Sequence, residues 1–346
     1  MPQNGNARAD GVFEGGGVKG IAFAGAIAAA EEEAGVQEWV NVAGASAGAI
    51  TASLLAVGYD AEGIRQALAK TEYRRFADYG FGGRYIGGAI NYFRVRGFTP
   101  GDYFKEWLAD RFEEKLGKRD PTFADVVRDD LPPELSPEEC EKAKYRLRVI
   151  ASDITSGRML VLPDDIEEFE DEKGRPYVKD EFPLVEAVRM SMSFPFVFSP
   201  VTLYQRGKPY YIIDGGLLSN FPIWLFDSPN PKRPTWGFRL HGGEGPERLP
   251  YRPIPRLFWG RALFKAMFFS AMEAWDRRQV GRVTTARTVS IATRSIQTTN
   301  FDLTKKQADD LYRWGYEESK RFFQGQREYI NSFGQAPETV AATATR

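Results

Sequence analysis

The first sixty residues alternate short apolar runs with glycine-rich breaks. Residues 11–14 predict a strand, cut short by Gly15, Gly16 and Gly17. Residues 21–34 are rich in Ala and end on Glu31, Glu32 and Glu33, a helical composition, with Gly35 placed for a C-cap. Residues 39–43 predict a second strand, broken at Gly44-Ala45-Ser46-Ala47-Gly48. Residues 49–57 predict a second helix that stops at Gly58. Strand, glycine turn, helix, strand, tight turn, helix is the opening of a layered βαβα architecture with parallel strands.

Further on, residues 81–101 hold many glycines and aromatics and read as a loop, and residues 100–116 read as a helix. Residues 129–144 read as a charged connection. Residues 145–152 predict a strand, with 159–162 returning against it as a hairpin. A short helix is expected at 183–192, with Pro183 near its start. Residues 210–213 form an apolar strand that ends at Asp214-Gly215-Gly216. Strands are expected at 235–240 and 288–292, and a helical region at 304–330 carrying Leu311, Trp314, Tyr316, Phe322 and Phe323. The division is a flexible N-terminus over 1–10, one main domain over 11–335 and a disordered tail over 336–346.

Charge and composition narrow the function. Among 346 residues, 46 Lys and Arg stand against 47 Asp and Glu, so no global pull toward nucleic acid follows. Cys140 and His241 are the only Cys and His. An intrachain disulfide and a zinc site built on several His and Cys are therefore excluded. No run of about 18 apolar residues predicts a spanning helix, and the first ten residues lack a signal-like apolar core. The expected location is cytoplasmic. The acidic run 164–172 lacks calcium-loop spacing and reads as a solvated loop. Residues 253–275, aromatic but interrupted by Arg256, Arg261 and Lys265, read as a buried helix or as an interfacial lid.

Two glycine motifs carry the candidate chemistry. Gly44-X-Ser46-X-Gly48, with a strand before it and a helix after, has the pattern of a nucleophile elbow; the other reading is a Gly/Ala packing turn. Gly15-X-Gly17-X-X-Gly20 could be a dinucleotide fingerprint, but that needs an acidic residue closing the second strand, and none stands there. The remaining reading is an oxyanion hole, with backbone N–H groups exposed by glycines and Lys19 adding positive charge. The parallel strands would set this loop beside Ser46. For a base, the order Ser46, Asp214, His241 allows a triad. Yet only one βα unit precedes the elbow, and His241 sits in a glycine-rich strand end. Asp214, at the end of an apolar strand and followed by Gly215 and Gly216, is the better candidate, against the alternative of a turn Asp. An ordinary carboxylate base would give a pH profile without an imidazole-like limb near pH ~6.5.

Together these pieces resemble the patatin-like phospholipase family. Gly15-Gly16-Gly17-Val18-Lys19-Gly20 resembles its oxyanion loop, Gly44-Ala45-Ser46-Ala47-Gly48 its elbow and Asp214-Gly215-Gly216 its late acidic motif. Ile150-Ala151-Ser152-Asp153-Ile154-Thr155-Ser156-Gly157 and Val188-Arg189-Met190-Ser191-Met192-Ser193-Phe194-Pro195 are also similar to the family. The likeness runs from Gly11 to about Pro222. It implies a three-layer α/β/α sandwich with a central, mostly parallel sheet. It also implies Ser46 as nucleophile, Asp214 as general base, and an oxyanion hole from the amides of Gly15, Gly16, Gly17 and Ala47. Lys19, Gly20, Gly44, Gly48, Gly215 and Gly216 complete the motifs. The implied substrates are phospholipids or other acyl-ester lipids, met by peripheral contact with a membrane. No nucleic acid, metal or organic cofactor is implied, and nothing in the chain points to one oligomeric state. The alternatives are a Ser-His-Asp esterase using His241, and a catalytically silent lipid-binding protein on the same fold.

Overall fold

The computed structural model describes residues 7–69, 71–77, 99–131, 133, 135–195, 197–228, 231–242, 286–294, 296, 298, 300 and 302–332. The aromatic segment 253–275, the tail 336–346 and nearly all of the 81–101 loop lie outside them. The expected opening is found: β1 (Ala7–Phe13), a 3-10 turn (Gly17–Gly20), α1 (Ile21–Glu33), β2 (Val36–Ala45) and α2 (Ala47–Ala56). β1 begins earlier than expected, so residues 7–10 belong to the sheet rather than to a flexible N-terminus. α2 is apolar all round because it is covered on every side: every residue of it is buried, whereas α1 is covered along its Ala-rich part and reaches the surface at Glu31, Glu32 and Glu33.

α3 (Ala61–Ala69) follows, then α4 (Asp102–Leu116), held between left-handed glycines at Gly101 and Gly117. The charged connection contains a short helix, α5 (Pro137–Ala143). No side chain of it is buried. Instead Ser136 and Glu139 form a capping box, and Pro137 starts the first turn. Its helicity comes from its caps, which a reading based on apolar periodicity passes over.

β3 (Leu147–Asp153) and β4 (Arg158–Leu162) form the expected hairpin. α6 (Leu184–Ser191) is the expected short helix, and β5 (Val201–Gln205) is a strand the sequence did not announce. β5 turns back into β6 (Lys208–Asp214) through Arg206 and Gly207, both at positive φ. A non-glycine residue seldom occupies that region, so the hairpin signal was weak. β7 (Thr235–His241), β8 (Thr288–Ala292), α7 (Lys305–Gly325) and α8 (Arg327–Ser332) complete the described elements. α7 buries Leu311, Gly315, Ser319 and Phe323, a stripe four residues apart, and packs along α1.

The strands form one sheet in the order β5-β6-β3-β2-β1-β7-β8, with β4 also on β3. β3, β2, β1, β7 and β8 are parallel, and β4, β5 and β6 are antiparallel to their neighbours. The arrangement is a mostly parallel sheet with flanking helices, as expected. Phe13 and Val42 face the main core with the helices. Val12 and Ala43 face a smaller core with Phe221 and Ile223.

One detail of register builds the site. In β3, residues up to Ile150 pair with β2, the last pair being Ala45 with Ile150. From Ala151 onward β3 pairs with β6, starting with Asp214 opposite Ala151. The C-terminal ends of β2 and β6 therefore meet at one point on β3.

The acidic run 164–172 is laced to basic neighbours: Asp164 to Arg148, Glu167 to Lys179, Glu168 to Arg158 and Asp171 to Arg175. Among the described residues, no helix is long and apolar enough to cross a membrane.

Candidate active site

Ser46 is the first residue past β2 and the N-cap of α2, at φ 52° and ψ −124°. A non-glycine residue is strained there, and the surroundings enforce it. A Cβ on Gly44 would lie 2.3 Å from the Gly48 backbone, and one on Gly48 would lie 2.1 Å from the Phe13 carbonyl. Both flanks must be glycine for strand and helix to approach this closely. The Ser46 N–H donates to Ser191 Oγ at 2.8 Å, which pins the turn. The Ser46 hydroxyl lies 3.7 Å from Met192 Sδ. A thioether is a weak acceptor, so this contact holds the hydroxyl lightly.

Asp214 is fully buried. Its Oδ1 accepts the Gly216 N–H at 2.8 Å, and its own N–H donates to the Ser193 carbonyl at 3.1 Å. Its Oδ2 is buried and has no hydrogen-bond partner among the described residues. Burial pushes the carboxyl up to about 7, while the Ser46 hydroxyl and the Gly216 N–H favour its charged form. This corrects the expected pH behaviour: a buried Asp titrates in the imidazole range, so the profile alone does not separate the two bases.

The glycine loop stands on the other flank of Ser46. A Cβ on Gly15 would lie 3.2 Å from Ser46 Cβ. Gly15, expected as an oxyanion donor, already gives its N–H to the Asn220 carbonyl at 3.0 Å. Its own carbonyl accepts the Asn220 side-chain amide at 3.2 Å. The Gly16, Gly17 and Ala47 N–H groups donate no hydrogen bond among the described residues. Ala47 opens α2, where the helix dipole favours negative charge. Lys19 bears on Glu14: this carboxylate is raised by burial and drawn back down chiefly by Arg239 and the Leu240 N–H, with Lys19 adding the least. Gly20 closes the loop's 3-10 turn, and a Cβ there would lie 3.1 Å from Ala47 Cβ.

His241 ends β7 and pairs with Ala292 of β8. β1 separates β7 from β2, so two strand spacings, about 10 Å, lie between His241 and the elbow. The groups that act on Asp214 are Ser46 and Gly216, not His241.

The sequence reading assigned no role to the last turn of α6 or the residues just after it, yet they grip both candidate groups. Ser191 holds the Ser46 amide and Ser193 holds the Asp214 amide. Arg189 braces this stretch from beneath. Its guanidinium is buried, pushed down to about 10 by desolvation, and donates to Ser193 Oγ and to the carbonyls of Pro100 and Ser199. No local sequence signal marked Arg189, because its burial is decided by packing against Pro100, Ser193 and Ser199.

Beside Gly17 and Ala47 a slot of about 20 Å³ opens between Ile50, Leu68, Phe76 and Trp107. A larger cavity of about 310 Å³ lies at the opposite end of β7, by Arg233, Thr235 and Arg287, away from every candidate site residue.

A mostly parallel sheet with flanking helices, carrying Ser46 on a strained strand–helix turn and the buried Asp214 beside it, defines an α/β protein. More narrowly, the chain belongs to the patatin-like phospholipase family, whose profile matches residues 11–227. Lipid acyl hydrolysis is the general activity that membership supports. The uncharacterized protein YqhO of Bacillus subtilis is 34% identical over 315 residues, covering 90% of this chain and 97% of that protein. Among solved structures, VipD of Legionella pneumophila aligns with a TM-score of 0.50 and 20% identity over 92% of this chain and 67% of its own, a likeness of fold. ExoU in its complex with SpcU from Pseudomonas aeruginosa aligns with a TM-score of 0.47 and 16% identity over 93% of this chain and 52% of that one.

Proposed function

We propose that the chain is a lipid acyl hydrolase of phospholipase A or lysophospholipase type, working through a Ser46–Asp214 dyad. Asp214 takes the Ser46 proton as Oγ attacks the ester carbonyl carbon. Negative charge on the carbonyl oxygen is met by the N–H groups of Gly16, Gly17 and Ala47, with Gly15 supporting the loop rather than donating. The proton passes to the departing alcohol and leaves an acyl-Ser46 ester, which water then hydrolyses. Contact with a lipid surface would be peripheral.

The observation that carries this reading is the partner change along β3, which brings Ser46 and the buried carboxylate of Asp214 to one point. A carboxylate whose pKa lies near neutrality is matched to a general base. Labelling by a fluorophosphonate, lost in Ser46→Ala, tests it. A wild-type protein that neither labels nor hydrolyses any short-chain or lipid ester would favour the silent lipid-binding reading instead.

A further inference from the structure

Three buried polar side-chain atoms without a partner among the described residues fall within one short segment: Asp214 Oδ2, Ser219 Oγ and Asn220 Oδ1. Buried polar groups are paired in the great majority of cases, so such a concentration calls for a reason. The segment begins at Asp214, on the β3 flank of Ser46, and ends at Asn220, on the Gly15 flank. It thus passes from one side of the nucleophile to the other.

One hydrogen bond orients the Asn220 side chain. Its amide nitrogen donates to the Gly15 carbonyl, so the opposite edge of the side chain carries the acceptor oxygen. That oxygen and Ser46 Cβ both crowd the place a Cβ on Gly15 would take, at 2.2 and 3.2 Å from it. The site therefore offers two unpartnered acceptors, one on each side of Ser46. The glycine loop and α2 supply the donors.

Acylation needs only one acceptor, since the Ser46 hydroxyl has one proton. Deacylation differs, because water has two O–H bonds. One proton must leave for a base, and the second O–H must be satisfied where bulk water is excluded. We propose that Asn220 holds the hydrolytic water: its Oδ1 accepts the O–H that is not transferred, while Asp214 Oδ2 accepts the one that is. The water oxygen bonds to the acyl carbon and the carbon–Oγ bond breaks. The proton taken by Asp214 passes to Ser46 Oγ, and the acid leaves with the remaining O–H. This inference rests on the Ser46–Asp214 reading.

An alcohol acceptor tests it, because methanol has one O–H and needs Asp214 but not Asn220. A short-chain ester is turned over in buffer containing methanol, and free acid and methyl ester are quantified. The ratio reports the deacylation step whichever step limits turnover. In the wild type, hydrolysis should exceed methanolysis per mole of acceptor. In Asn220→Ala the ratio of acid to methyl ester should fall about tenfold or more. If Asn220 only latches the Gly15 loop, both products fall together and the ratio stays, which overturns the proposal. A wild-type protein with no preference for water over methanol also overturns it, and this arm needs no variant to fold. Should Asn220→Ala lose its cooperative melt, Asn220→Ser carries the same comparison. A wild type that yields neither product and resists fluorophosphonate refutes the hydrolase reading itself, an outcome distinct from an unchanged ratio.

Discussion

Asp214 stands opposite Ala151, where β2 would have placed Ser46 had it kept pairing with β3 beyond Ala45 and Ile150. The strained elbow turns Ser46 off the sheet, and β6 arrives from the opposite direction to take the freed edge. The two residues are 168 positions apart in sequence, yet they are neighbours through a single change of register.

On the proposed dyad the two act as a unit, so Ser46→Ala and Asp214→Asn should each lower turnover of a short-chain ester about 10³-fold or more, and the double variant little further. Circular dichroism should show both folds intact. Substantial turnover by Asp214→Asn would remove Asp214 from the mechanism.

The base must be ionised to accept a proton. With Asp214 at about 7, kcat/KM should rise with pH through that value. The limb should remain in His241→Ala, since His241 lies two strands away. Disappearance of the limb in that variant would restore the triad.

The same shift affects stability. An unfolded Asp ionises near about 3.9, whereas Asp214 in the fold ionises at about 7. The folded state therefore holds its proton more tightly. Stability from this group is complete below the unfolded value and is lost as pH rises through about 7. Asp214→Asn, which cannot ionise, should raise Tm relative to wild type at pH 8 and by much less at pH 4. Thermal melts at both pH values measure the difference, and an equal shift at both would contradict the burial argument.

Ser191→Ala leaves the Ser46 N–H without its acceptor at a buried turn. The cost should be about 1–3 kcal/mol, seen as a lower Tm. The loosened elbow should reduce kcat more than it raises KM. Unchanged kcat with a lowered Tm would make Ser191 structural only.

Much of the site was legible because its constraints are local. Gly44 is required by a contact within one strand–turn–helix and Gly48 by the neighbouring strand β1, but both fall in a pattern that shows in five letters. Ala-rich α1 and α2 and the apolar end of β6 were legible for the same reason. α5 was missed because caps rather than an apolar face hold it, and β5 because its hairpin turn uses Arg206. Asn220 and Ser191 were not singled out, since an Asn or Ser acquires a role only from what it faces.

The sequence by itself determined the glycine turns, the helix and strand types and the identities of the nucleophile and base candidates, because sterics and propensity act over a few residues. The tertiary structure decided which of these meet. The antiparallel arrival of β6 at β3 set Asp214 beside Ser46, and β1 between β2 and β7 kept His241 apart. It also decided their chemistry. Desolvation moved a carboxylate from the acid range to about 7, and hydrogen bonding to Asn220 engaged the Gly15 amide while those of Gly16, Gly17 and Ala47 stayed open. Register and burial are sums over distant parts of the chain, so no local stretch of letters encodes them.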